Sequence, residues 1–259
     1  MRNVRIWFKK DFECRYISHL DLNRTMLRAL HKSKLPIWHT EGFTMDRCSM
    51  DEKARAAIWY AEEGHIENSV LGGIKAVREC QDIHIRNSEI VSQEFGWKSS
   101  GISLEDSSVT AEYLFFDSRD VTLDRVKMKG KYSFQYMENL TIRDSVLDTK
   151  DAFWHAKNVV IKNCVVEGEY LAWYAENITF ENCKIIGTQP FCYCDGLKLI
   201  NCEMAECDLA FEKSSVEATV TTHIDSIKNP IKGYIEAPSA GEIILDHETD
   251  CAIRVTVGA

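Results

Sequence analysis

Tyr136, His155, Tyr174 and Tyr193 recur at one interval, since subtracting neighbours (155−136, 174−155, 193−174) gives 19 each time. Tyr132, Asp151, Tyr170 and Asp208 flank the row a few residues upstream. Phenol rings beside carboxylates hold sugar rings by stacking and hydroxyl bonds, and the same strip also suits burial against a second copy of the chain. His155 is the histidine within the row and the candidate acid or base, because an imidazole changes charge near neutral pH. Glycoside hydrolysis asks for two placed carboxyls, for which Asp151 with Asp208, or Glu169 with Glu212, supply the residue types. Lyase chemistry instead needs a basic residue beside a metal-bound acid. No glycine-rich phosphate loop, nucleophile elbow or HExxH motif is present.

Two other columns share the interval. Cys164, Cys183 and Cys202 take one place in successive copies, and Ser69, Ser88, Ser107 and Ser145 take it elsewhere. A thiolate metal site is one reading, with Cys192, Cys194 and Cys207 nearby; exchange with serine favours small buried fillers, so no metal and no cofactor is expected. Asn68, Asn87, Asp106, Asp144, Asn163, Asn182 and Asn201 form the second column, which suits a hydrogen-bonded ladder better than a calcium site, since most members are amides.

The positioning element is the repeat itself. Asn158-Val159-Val160-Ile161-Lys162-Asn163-Cys164 is echoed from residues 139, 177 and 196, and the register traces back through 120, 101, 82 and 63. Its alternating Val, Ile and Thr exclude a helical hairpin and predict short strands coiled into a parallel β-helix with 19-residue rungs. Trp59, Trp97, Phe116, Trp154, Trp173 and Phe211, four residues before each copy, are expected in the core. Alternation sends the next residue, the Tyr136 row, to the opposite face.

The 259 residues suit one repeat array with an appendage, and 45% hydrophobic residues support a core. A net charge of −9 excludes nucleic acid and anionic membrane as expected partners. The start lacks a signal-like apolar stretch, which points to a soluble cytoplasmic protein with free thiols among its ten cysteines. The domains expected are 1–43, a β-α-β cap; 44–223, the β-helix; and 224–259, a carboxyl-terminal cap, because open end rungs invite edge pairing.

Within the first of these, Arg15-Tyr16-Ile17-Ser18-His19-Leu20-Asp21-Leu22 with Leu27-Arg28-Ala29-Leu30 and Glu41-Gly42-Phe43 resembles the amino terminus of the bacterial radical SAM-linked family. The cluster motif Cys-x3-Cys-x2-Cys is missing, so no iron–sulfur site is implied. From about residue 44 to about 246 the repeats, with Asp151-Ala152-Phe153-Trp154 and Gly168-Glu169-Tyr170-Leu171-Ala172-Trp173, resemble an uncharacterised bacterial family with the pectin-lyase-like fold. That resemblance implies a right-handed helix and leans toward carbohydrate as the ligand. The leading expectation is a non-enzymatic binding or scaffold module presenting Tyr136, His155, Tyr174 and Tyr193. The alternatives are a carbohydrate-active enzyme of lyase or hydrolase type and a self-associating structural module, a homo-oligomer.

Overall fold

A computed structural model describes residues 41–257. The segment 1–43, on which the expected cap and the expected radical SAM-linked likeness rest, lies outside these residues apart from its last three. Among the described residues the chain is all-β, a parallel solenoid of about 11 turns with rungs of about 19 residues and no helix.

One rung shows how the sequence builds the coil. In the strand Lys157–Lys162, Val159 and Ile161 point inward and are fully buried, while Lys157 stays in water. Asn163 then turns the chain with a φ of 54°, a left-handed conformation that asparagine tolerates better than most residues. Cys164 tucks under the corner, and Val166 in the strand Val165–Glu167 adds a second inward face. The remaining stretch to Ala175 closes the triangle through buried Leu171 and Ala172.

Twelve strands stack in parallel on the first face, from Glu41–Asp46 to Asp250–Val257. Most registers step by 19, as in Val159↔Ile178, but the last steps shorten, as in Val216↔Gly233 and Gly233↔Cys251. Pairing therefore continues in parallel through 224–257. The third face changes character along the axis. It begins as short strands, Ile58–Trp59 on Val77–Arg78 and Glu94–Phe95 on Tyr113–Leu114. In the rungs around Tyr132 to Ala175 it becomes a run of turns.

That change corrects most of the expected core. Trp59, Trp97, Phe116, Trp154 and Trp173 are only half-buried, and the buried ring stack lies one position earlier, at Phe115, Phe134, Phe153 and Phe191; Phe211 of the expected column is fully buried and stacks on Phe191 at 5.9 Å. Phe134 and Phe153 stack at 5.2 Å with planes 9° apart. Ala172 interrupts this column, and there Phe180 reaches across from the first face to touch both Phe153 and Phe191. Each such ring withdraws enough apolar surface to stabilise the fold by about 1.5–3 kcal/mol.

Candidate functional site

The corner carrying the Tyr136 row is set by backbone geometry. Tyr60, Glu79, Lys98, Asp117, Tyr136, His155, Tyr174 and Tyr193 all have φ between 49° and 61°. At the corner of Asn68, Asn163 and Asn201 the same conformation is met by amides, the cheaper choice. At this one, Asp117 apart, it is met by bulky or long side chains. Each backbone N–H is nonetheless paired with the next rung, Tyr136 with the Trp154 carbonyl at 2.9 Å and His155 with that of Trp173 at 3.0 Å.

The structure brings the four predicted residues together as one continuous stack. Tyr136 and His155 lie 5.0 Å apart with planes 8° apart, His155 and Tyr174 5.0 Å and 6°, Tyr174 and Tyr193 4.8 Å and 10°. Tyr136 is 51% and Tyr174 43% exposed, while His155 and Tyr193 are half-buried. The ring planes stand across the solenoid axis, so the rings cover one another's faces. The ends of the stack are in contact as well, Tyr136 with Phe116 at 5.5 Å and 67° between planes, and Tyr193 with the Lys213 ammonium at 5.8 Å. What the ribbon presents to solvent is ring edges and polar tips at one-rung intervals. Burial and the nearby Glu212 carboxylate raise the Tyr193 phenol, which keeps it a proton donor at neutral pH.

A second layer of aromatics supports the ribbon. Trp154 and Trp173 stack at 5.4 Å, and their indole N–H groups donate to the Tyr170 and Gln189 carbonyls at 2.7 and 2.8 Å. Gln135, one rung below, makes the same bond to the Asp151 carbonyl at 3.0 Å. Tyr113 and Tyr132 stack beyond them at 5.1 Å. The Trp column is thus part of the outer face.

The carboxyl candidates scatter. Asp151 and Asp208 stand three rungs apart, about 14 Å at the usual strand spacing. Glu169 and Glu212 are two rungs apart on different columns, with Glu169 paired to Lys150 at 2.6 Å and Glu212 to Lys228 at 3.2 Å. Asp208 accepts a hydrogen bond from the Thr188 hydroxyl. Asp151 is the one buried member, and its carboxyl is raised by that burial and by Glu169 on the next rung, against the pull of Lys150.

The cysteine column is a hydrogen-bonding device. In its serine rungs the hydroxyl donates to the carbonyl two residues back and accepts the N–H of the rung below: Ser88 Oγ gives to Arg86 at 2.8 Å and takes from Ser69 N at 3.1 Å. Cysteine does the same at sulfur distances, Cys164 Sγ to the Lys162 carbonyl at 3.0 Å and Ser145 N to Cys164 Sγ at 3.4 Å. A second column of this kind, Cys80, Ser99, Ser118, Cys194 and Ser214, escaped the sequence reading although nearly the same step reveals it. Burial pushes Cys202 up to about 11 and Cys194 and Cys207 up to about 12, so these thiols stay protonated and poor ligands. The Asn ladder runs as expected, Asn182 to Asn163 at 3.4 Å and Asn201 to Asn182 at 2.8 Å, and a parallel ladder joins Asn139, Asn158 and Asn177. Among the described residues no three His, Cys, Asp or Glu side chains converge to hold a metal, and no helix is long and apolar enough to cross a membrane.

No curated protein matches the chain. Two solved structures are similar in shape: the Streptococcus pneumoniae surface protein and adhesin PfbA, 8% identical over 92% of each chain with a TM-score of 0.44; and the A-module of the Azotobacter vinelandii mannuronan C-5 epimerase AlgE4, 12% identical over 91% of this chain and 94% of that one, with a TM-score of 0.28. A family model matches residues 18–257, and by this match the chain belongs to DUF3737, a family described as protein of unknown function.

Proposed function

We propose that the chain is a binding module that holds an extended carbohydrate along the ribbon of Tyr136, His155, Tyr174 and Tyr193. The observation that carries this is the filling of a left-handed corner with exposed rings where amides would be cheaper, since a conformation kept at a cost marks a used surface. With the ring faces mutually covered, recognition runs through phenol hydroxyls, the imidazole and ring edges. These repeat at 4.8–5.0 Å, which suits a polymer contacting one rung per unit. A glycan array of the wild type against Tyr174→Ala tests this: binding by the wild type that the variant loses supports it. No binding, together with a wild-type dimer in light scattering that Tyr174→Ala dissociates, replaces it with self-association through the same ribbon.

A second reading rests on Asp151. A carboxyl raised by burial has the property of a general acid, and Glu169, paired to Lys150 at 2.6 Å, lies on the adjoining rung. Turnover of a bound glycan that Asp151→Asn abolishes would establish a carbohydrate-active enzyme, with an unsaturated product marking a lyase and a hydrated one a hydrolase. Binding without turnover leaves the module non-catalytic.

A further inference from the structure

We propose that His65 and His84 form a surface site for a divalent transition-metal ion of the zinc, nickel or copper class, with two imidazole nitrogens as protein ligands and water completing the shell. The two residues sit in the first-face strands Glu62–Glu67 and Gln81–Arg86, directly opposite one another in register. Both are exposed, and their rings lie 5.1 Å apart with planes 20° apart. Histidine's outer torsion has a broad well, so a modest rotation of each ring brings two nitrogens onto one ion.

Three further features favour an ion over a plain ring stack. From residue 44 to 179 the other rungs of this column carry Thr44, Ser103, Thr122, Thr141, Val160 and Thr179, and beyond them Lys198, Glu217, Tyr234 and Ala252, so the coil does not impose a histidine pair. The Nδ1 of His84 lies 2.7 Å from the Ser103 hydroxyl oxygen. When Nδ1–H donates to that oxygen, the Nε2 lone pair is free and aimed, the outer-shell arrangement that orients metal-bound histidines. The shallow cleft is lined by Glu67, Glu105 and Arg86; Arg86 leans toward Glu105 at 3.8 Å and Asp106 at 3.6 Å, and Arg125 pairs with Glu105 at 2.5 Å, so these three carboxylates outnumber the two guanidiniums. The local field therefore does not repel a cation. Imidazole donors select the zinc, copper and nickel group over magnesium or calcium, and two protein ligands make the ion exchangeable.

The test is calorimetric titration of the full chain with zinc chloride. The expected result is one zinc equivalent whose affinity falls at least about tenfold in His65→Ala and again in His84→Ala, with Ser103→Ala also weakening it. The two histidines are exposed and Ser103 is half-buried on the same outward face, so circular dichroism should show each variant folded. Wild type that takes up no zinc, or a His65→Ala/His84→Ala double variant that binds with unchanged stoichiometry and affinity, overturns the site. So does a loss confined to one histidine, because the ion is then held without the pair.

Discussion

The imidazole of His155 lies 5.0 Å from the phenol ring of Tyr174 with planes 6° apart, and Tyr136 covers its other face at the same distance. A ring clasped on both sides is oriented by its neighbours, so the ribbon acts as a unit. Two substitutions at the same backbone position separate the cost of the corner from the gain of the stack. Lys98 has a φ of 49° and only a loose exposed pairing with Asp117 at 3.8 Å. Lys98→Asn is expected to raise stability by up to about 1 kcal/mol, because asparagine tolerates the left-handed region. Tyr174→Asn has the same backbone benefit but loses two ring contacts, each contributing about 0.5–1.5 kcal/mol, and is expected to lower stability. Denaturation midpoints of the two variants decide it. If both rise together, the stack contributes nothing.

Ser88 carries a different kind of load. Its hydroxyl is the acceptor for the buried Ser69 N–H, so Ser88→Ala leaves that donor without a partner and is expected to cost about 1–3 kcal/mol. Ser88→Cys keeps a donor and an acceptor at the spot, as Cys164 does natively, and should cost clearly less. Equal losses in urea denaturation would mean that the column is mere packing.

Gly130 stands where two rungs touch. A Cβ built on it would come within 1.9 Å of the Ala111 carbonyl oxygen, a backbone atom that the Ala111↔Gly130 pairing holds in place. Gly130→Ala is therefore expected to destabilise by about 1–3 kcal/mol through overpacking. A variant that melts like the wild type would show that the second face can open between rungs.

Most of the coil was legible because each rung repeats its chemistry at one step: Val159 and Ile161 read correctly as inward, Asn163 as the ladder and Cys164 as a buried filler. The third face was misread for a physical reason. Period-two alternation holds only in strands, and Tyr132, Phe134 and Tyr136 are all left-handed, with Phe134 inward and Tyr136 outward. The core ring thus moved from Trp154 to Phe153. The Tyr row was located by its spacing, but its stacking was not, since spacing fixes positions along the axis and leaves the tilt of the rings open. Asp151 and Asp208 share a column, but the three rungs between them, each about 4.8 Å, keep their carboxyls apart.

Asp151 yields the prediction that bears on both stability and chemistry. Its carboxyl is raised in the folded chain, by burial first, with Lys150 opposing and Glu169 adding. A carboxyl whose folded pKa lies above its unfolded value is proton-bound more tightly by the native state. Its favourable contribution is present below the unfolded value, about 3.9 for aspartate, and is lost as pH rises through the folded one. At neutral pH the ionised group is thus a burden, and Asp151→Asn removes the charge while keeping a residue that accepts the φ of 53°. The variant is expected to melt higher than the wild type at neutral pH, with the gap shrinking as pH falls through the raised folded value and closed once it reaches the ordinary aspartate value. A gap that is absent at neutral pH, or that widens in acid, would show that Lys150 outweighs burial. Run beside the glycan assay, the same variant sorts the roles of this carboxyl. Higher stability with intact binding marks a tolerated buried charge, and higher stability with loss of turnover marks an acid that the fold keeps at its own cost.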